Sequence, residues 1–222
     1  MAVYDLEEQE QISEIKAWWA RYGNAVTACL LVAAIGVFCW QAWNWYQRNQ
    51  AAQASAILTE VQKAATARDA KAASARAGEL IEKFPGTVHA ALAVLTAARL
   101  QIDGGDLKTA KAQLGWAVEH ASEVELREIA RLRLANLLLD DKAYDDALKL
   151  LEREPLPSFG GRFDELRGDI YALQAKVGEA KKSYQAAIAR FDEAAKSSPA
   201  GTVDGRQKTL LQIKLESLGV EQ

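Results

Sequence analysis

The chain has 222 residues, half of them hydrophobic, and its 27 Lys and Arg against 30 Asp and Glu give a formal net charge of −3. This balance lacks the basic surface by which proteins bind phosphate backbones, so we expect no nucleic acid partner. The most apolar stretch lies close to the N-terminus and decides the class of protein.

An uncharged stretch at residues 25–40 predicts a membrane-spanning helix. No Lys, Arg, Asp or Glu occurs between Arg21 and Arg48. Extended to Trp43, the stretch is about 28 Å long at roughly 1.5 Å per residue, close to the hydrocarbon thickness of about 30 Å. Trp and Tyr side chains flank it on both sides, as expected where lipid headgroups meet hydrocarbon.

Two alternatives to a permanent anchor fit the sequence less well. A cleaved signal peptide would have a basic leader, whereas residues 1–22 carry five Asp or Glu against Lys16 and Arg21. The small residues at 52, 54 and 56 could pass for a cleavage site, but they lie well beyond the Trp-rich end of the stretch. A buried helix of a globular domain is usually shorter and has no aromatic collar at both ends.

The charges beside the span predict its orientation. Lys16 and Arg21 precede it, and Arg48 is the nearest positive charge on the other side. The side of a span with more Lys and Arg usually stays in the cytoplasm, and acidic residues have little influence on this choice. We therefore expect the N-terminus in the cytoplasm. The C-terminal domain of a bacterial inner-membrane protein would then face the periplasm.

The part of the chain beyond the membrane is predicted to be neutral and free of thiols. Without the acidic tail, the chain retains 25 basic and 25 acidic residues, and its two cysteines, Cys29 and Cys39, both lie within the span. The outer domain therefore needs neither a disulfide nor a cysteine-bound metal, even in an oxidising compartment.

From residue 47 onward, the sequence predicts an all-α domain. No segment alternates with period two for long enough to form a strand. Apolar residues recur at helical spacing, for example at Leu92, Leu95, Ala98 and Ile102.

One pattern occurs three times within residues 88–192, at offsets of 37 and 33 residues. The copies are Ala98, Leu107, Ala110, Leu114 and Ala117; Ala135, Tyr144, Ala147, Leu151 and Glu154; and Gly168, Val177, Ala180, Tyr184 and Ala187. This spacing resembles the tetratricopeptide repeat, in which small residues let two antiparallel helices approach and each pair stacks on the next. The match is imperfect, because Lys142 and Ala175 replace the turn glycine Gly105, and Glu154 replaces the last small residue.

Both ends of the predicted α-solenoid are expected to be covered. Residues 48–84 would form a divergent first helix pair, and residues 203–219 a closing helix with apolar positions at Leu210, Leu211, Ile213, Leu215 and Leu218. The predicted segments are an acidic cytoplasmic tail, a transmembrane helix and a periplasmic repeat domain, at residues 1–22, 23–46 and 47–222.

The sequence gives no sign of an enzyme. His89 and His120 are the only histidines, and neither belongs to an i, i+4 pair that would hold a metal. Nucleophile-elbow, phosphate-loop and dinucleotide-binding motifs are all missing from the sequence. We therefore expect no catalytic residue, no metal site and no cofactor.

Two surfaces are candidates for partner binding. Repeat arrays usually hold a polypeptide in a groove lined by the first helix of each pair. By analogy, the groove residues here are Leu95, Arg99, Ile102, Leu132, Asn136, Leu139, Glu165, Asp169 and Ala172. The sequence leaves open that half of these residues belong to the core. Within the span, a packing face of small residues would admit another membrane helix: Ala25, Cys29, Ala33 and Gly36.

Four segments, in order, resemble the YfgM family, ancillary subunits of the bacterial Sec translocon. They are EQEQISEIKAWWARYGNAV at 8–26, WQAWNWYQ at 40–47, LRGDIYALQAKVGEAKKSYQAAI at 166–188 and LQIKLESL at 211–218. The resemblance covers the whole chain, and its LRGD segment and final helix are the more specific parts.

The resemblance implies a non-enzymatic inner-membrane protein in contact with membrane lipid. Its implied partners are the SecYEG translocon, the periplasmic chaperone PpiD and client polypeptides emerging from the translocon. Two alternatives remain: a membrane-anchored tetratricopeptide scaffold for envelope assembly or division, and a stress-response regulator that binds through its cytoplasmic tail.

Overall fold

A computed structural model describes the backbone of residues 4–197 and 205–219 and the side chains of 11–195 and 206–219. Within these ranges the chain forms helices and no strand, which confirms the all-α class. Residues 203–204 of the predicted closing helix lie outside the described residues. The helices are α1 Tyr4–Thr66, α2 Ala70–Lys83, α3 Val88–Asp103, α4 Leu107–His120, α5 Val124–Asp140, α6 Tyr144–Glu152, α7 Pro157–Leu173, α8 Val177–Ser197 and α9 Gly205–Ser217.

The chain divides into two compact units, residues 1–52 and 53–222. Helix α1 supplies the described part of the first unit, and its last turns belong to the second. The predicted boundaries of tail, span and outer domain are defined by a membrane, so they stay predictions.

The first unit is an apolar helix with exposed side chains. Its most apolar 18-residue window has a mean hydropathy of 2.0, and none of that window is buried. Among the described residues it is the one helix long and apolar enough to cross a membrane. Large side chains such as Phe38, 74% exposed, are unfavourable in water and favourable in lipid. The protein is membrane-anchored.

The second unit is a stack of antiparallel helix pairs. The last turns of α1 pair with α2, α3 with α4, α5 with α6, and α7 with α8, while α9 packs against α8. Successive pairs meet through α2 and α3, α4 and α5, and α6 and α7. This arrangement confirms the tetratricopeptide-like α-solenoid.

The turn inside every pair has the same backbone geometry, although only one contains glycine. Arg68, Gly105, Lys142 and Ala175 have φ between 55° and 82°. In each turn, this residue's N–H donates to the carbonyl three residues earlier, and the next N–H donates to the carbonyl five residues earlier, at 2.8–3.1 Å. These bonds satisfy free carbonyl groups at the end of the first helix of each pair. They also hold Arg68, Lys142 and Ala175 in the left-handed conformation, which costs a non-glycine residue about 1 kcal/mol.

Arg68 shows that the first pair is a further copy of the same repeat. It lies 37 residues before Gly105, and in both turns the following residue is an aspartate that caps the next helix. The Asp69 and Asp106 carboxylates accept backbone N–H groups three residues later, at 2.9 and 3.1 Å. The divergence that the sequence suggested for this pair therefore lies in its side chains and not in its backbone.

The core of each pair depends on matched side-chain sizes. The bulky position of the repeat is Leu114, Leu151 and Tyr184, all buried, and the small position on the preceding helix is Ala98, Ala135 and Gly168. A Cβ atom on Gly168 would lie 2.4 Å from two carbons of the Tyr184 ring. The larger ring in the last pair therefore requires the smaller residue opposite it.

Helix α6 is short, which explains the missing small residue at Glu154. The helix ends two residues before this position, so Glu154 lies in the linker and pairs with Arg190 at 2.8 Å. Buried Arg131 binds the carbonyls at the end of α6: its guanidinium donates to Leu150 O at 2.7 and 2.9 Å and to Arg153 O at 2.7 Å. These bonds satisfy acceptors that a longer helix would have paired internally.

Helix α9 closes the stack with only part of its predicted apolar face. Leu211 is fully buried, and Leu215 and Leu218 pack beside it in a cluster with residues of α7 and α8. Leu210 and Ile213 are exposed, Ile213 by 57%. They lie on another side of the helix, because Leu211, Leu215 and Leu218 share one face at the spacing i, i+4 and i+7.

We predict that Gly168→Ala lowers the free energy of unfolding by about 1–2 kcal/mol, because the added methyl group overlaps the Tyr184 ring. In a Tyr184→Leu background the same change should raise it, since the pair then matches the other repeats and alanine favours the helix by about 1 kcal/mol. Urea unfolding followed by circular dichroism measures both effects. Gly115→Ala, a helical glycine with open space around its Cβ position, is the control and should stabilise both backgrounds alike.

Candidate partner-binding groove

Helices α5 and α7, the first helices of the last two complete pairs, border a cavity of about 700 Å³. We call it the α5–α7 groove. Residues from α5 and from the first four turns of α7 line it: Ile129, Leu132, Arg133, Asn136, Ser158, Phe159, Arg162, Glu165, Leu166 and Asp169. The groove combines an apolar surface with charged groups of both signs.

Four of the nine predicted groove residues line this cavity. They are Leu132, Asn136, Glu165 and Asp169. Leu132 is half-buried against the core of the α5–α6 pair, while Asn136 is exposed and donates to the Leu132 carbonyl at 2.8 Å. Their use in partner binding stays a prediction.

The other five lie elsewhere. The prediction that Leu95 lines the groove is corrected. This residue is 5% exposed and lies in the core, because α2, α4 and α5 cover α3. Ile102 and Leu139 are half-buried against core clusters, and Ala172 packs with the α8–α9 cluster. Arg99 is exposed and lines a separate cavity of about 500 Å³ between α3 and the first turn of the stack.

The groove contains two arginines without an ion pair among the described residues. Arg133 is half-buried and donates to Leu95 O at 3.2 Å. Loss of solvent, followed by the positive charge of Arg99, lowers the pKa of Arg133. Arg162 is exposed at the groove edge. Both side chains keep donors available for an acceptor from outside.

The two carboxylates of the groove are already paired within the chain. Lys214 of α9 places Nζ 3.1 Å from Glu165 Oε1 and 2.7 Å from Asp169 Oδ1. Gln207 donates to Glu165 at 2.5 Å, and the Tyr184 hydroxyl donates to Asp169 at 2.8 Å. Helix α9 therefore places one positive charge between the two carboxylates at this end of the groove.

These contacts shift the titration of the groups involved. Burial lowers the pKa of Lys214, but hydrogen bonds and charges from Asp169 and Glu165 outweigh it, and the pKa lies above its ordinary 10.5. Burial, with the hydrogen bond to Asp169, raises the pKa of Tyr184 above its ordinary 10.0. Both groups stay protonated in the folded protein at neutral pH.

Neither histidine takes part in such a cluster. His120 stacks on Trp116 with ring centroids 5.2 Å apart, and His89 lies half-buried in the first turn of α3. Across the described residues, no group of three or more His, Cys, Asp or Glu side chains is placed to hold one metal ion.

The two most specific segments of the sequence meet at this groove. In the segment Leu166-Arg167-Gly168-Asp169, the leucine lines the groove, the arginine binds Asp164 and the Leu151 carbonyl, and the glycine admits Tyr184. The aspartate binds Lys214, which lies in the segment 211–218. The motifs are thus parts of one packed arrangement.

Comparison with known proteins identifies the family. A tetratricopeptide repeat-like domain model matches residues 16–220. A protein of Neisseria gonorrhoeae named "Ancillary SecYEG translocon subunit" is 30% identical over 214 residues, which cover 96% of this chain and 98% of that protein. The chain belongs to the YfgM family.

Two further relatives of the family carry the same name. The protein of Haemophilus influenzae is 29% identical over 188 residues, covering 83% of this chain and 90% of its own. That of Escherichia coli is 27% identical over 189 residues, covering 85% and 90%. The domain model, matched over residues 16–220, includes both the apolar helix and the repeats.

The predicted packing face of the span lies along a shallow depression. Ala25, Cys29 and Ala33 line a space of about 650 Å³ on α1, bordered by larger side chains of which Trp18 and Tyr22 are aromatic. A Cβ atom added to Gly36 would meet no atom within 4 Å. The small residues therefore leave room beside the helix backbone.

Sequence reasoning missed the groove residues Arg133, Phe159 and Arg162, and also Lys214, which pairs with the two carboxylates of the groove. The signal that could have found Arg133 is its position three residues, about one helical turn, before the predicted groove residue Asn136. Nothing in the spacing indicated that Lys214 reaches Glu165 and Asp169.

We predict that the protein loses stability as the pH rises above about 10. Lys214 and Tyr184 have higher pKa values folded than unfolded, so their contribution is present below the unfolded values of 10.5 and 10.0 and is lost as the pH rises through the folded ones. Urea unfolding of the detergent-solubilised protein from pH 8 to 11 measures this. Lys214→Met should destabilise by about 1–3 kcal/mol at pH 8 and flatten the decline. If the free energy of unfolding falls equally steeply with pH in Lys214→Met and in the control Lys181→Met, the assignment of this pH dependence to Lys214 is wrong.

Proposed function

We propose that this protein is a non-enzymatic, membrane-anchored adaptor that associates with the SecYEG translocon. The observation that carries the proposal is near full-length similarity to proteins named as ancillary SecYEG translocon subunits, in a chain whose repeat domain presents a groove. In this role the adaptor binds the periplasmic chaperone PpiD and assists client polypeptides that emerge from the translocon. It contacts membrane lipid through α1.

The proposed topology places the tail in the cytoplasm and the repeats in the periplasm. Lys16 and Arg21 before the span, with Arg48 after it, support this direction. The groove would then face the compartment in which secreted chains emerge.

The proposed contact within the membrane uses the packing face of α1. Small residues allow two helix backbones to approach closely, which is how membrane helices associate without a hydrophobic driving force. The depression beside Ala25, Cys29 and Ala33 supports this contact. Trp18 and Tyr22 would border the partner helix at one end.

We predict that native membranes yield SecYEG together with the tagged protein after mild detergent extraction. Ala33→Leu and Gly36→Leu should reduce the recovered SecYEG several-fold, because bulk on this face prevents close approach. Ala34→Leu, also in the span but on the opposite side of the helix from the packing face, is the matched control. Full recovery with both packing-face variants would exclude this face, and no SecYEG with the parent would exclude the association.

We also predict that protease added to spheroplasts removes the repeat domain and spares the N-terminal tail. Immunoblotting with epitopes at either end of the chain measures the fragments. Protection of the C-terminal epitope until the membrane is broken would reverse the topology and favour the alternative of a regulator in the cytoplasm.

A further inference from the structure

The α5–α7 groove has two arginines and two carboxylates in its lining, and Lys214 of α9 adds a third positive charge beside the carboxylates. Arg133, Arg162 and Lys214 face Glu165 and Asp169, and both carboxylates already accept hydrogen bonds within the chain. Lys214 is engaged by these carboxylates. The two arginines are therefore the charged groups of the groove that have no ion pair among the described residues.

Arg133 is the better defined of the two. A guanidinium has five N–H donors, and the bond to Leu95 O uses one of them. Its half-buried position weakens solvation, and the neighbouring charge of Arg99 is of the same sign. An incoming carboxylate would relieve this repulsion and accept short, charge-assisted hydrogen bonds, which are stronger than neutral ones.

Besides its charged groups, the groove is lined by four apolar side chains and by the polar Asn136 and Ser158. Ile129, Leu132, Phe159 and Leu166 contribute to its lining between the charged groups. These side chains would shield a hydrogen-bonded carboxylate from solvent, which strengthens the interaction. The ligand therefore needs both an acid and a bulky apolar side chain.

We infer that the groove binds a segment of a partner protein that carries both Asp or Glu side chains and large apolar ones. The carboxylates lie between Arg133 and Arg162, and the apolar side chains lie on Leu132 and Phe159. This inference rests on the proposed function, since it names the chemistry of the polypeptide that the adaptor holds. A basic segment is disfavoured, because it would meet two unpaired arginines.

The test uses the full-length protein in nanodiscs of neutral lipid, with empty nanodiscs as the blank. The probe is a fluorescein-labelled ten-residue peptide in which pairs of Glu alternate with pairs of Leu, so that both kinds of side chain lie on each side of an extended chain, and its control has Gln at every Glu position. Fluorescence anisotropy should give binding of the Glu peptide at least about tenfold tighter than the Gln peptide. The affinity should fall when salt is raised from about 50 to 500 mM.

Variants locate the site. Arg162→Gln, at an exposed position, should weaken the Glu peptide about tenfold without altering thermal unfolding. Arg133→Lys keeps the charge and should bind more weakly than the parent but better than Arg133→Gln. Lys108→Gln and Lys181→Gln remove equivalent charges from α4 and α8 and should leave binding unchanged.

The outcomes separate this inference from the translocon association. Equal binding of the two peptides, no binding of the Glu peptide, or full binding by Arg162→Gln would overturn the inference, whatever is recovered with SecYEG. Charge-dependent peptide binding by a protein that recovers no SecYEG would support the groove chemistry and reject the association alone.

Discussion

The close approach of paired helices is the constraint on which the repeat domain depends. Antiparallel helices pack well only where one side is small and the other fills the remaining gap, so Gly168 and Tyr184 must change together. The turns impose the same constraint along the chain. Lys142 and Ala175 accept a strained backbone because the stacked pairs determine where each helix must end.

Stacking creates the groove, and the closing helix sets its charge. Because α5 and α7 belong to successive pairs, they border one cavity although 29 residues separate Arg133 from Arg162. Lys214 of α9 then engages Glu165 and Asp169. Helix α9 therefore covers the last pair and also, through Lys214, brings the charges around the groove to three positive against two negative.

The family resemblance has a physical basis in this arrangement. The residues 166–169 and 211–218 meet through Asp169 and Lys214, so a change in one segment leaves a charge in the other without its partner. Similarity in these segments thus reports a packed interface between the last pair and its cap. It gives less information about the groove residues that face a partner.

The sequence by itself determined the membrane span, the all-α class and the repeat spacing, because each depends on local periodicity or composition. Tertiary structure decided which apolar residues face outward: Leu95 and Leu132 have the same helical pattern, yet one lies in the core and the other lines the groove. It also decided the pairing of charges, since Lys214 meets Asp169 across 45 residues. Burial and ion pairing depend on which helices become neighbours, and that follows from how the pairs stack.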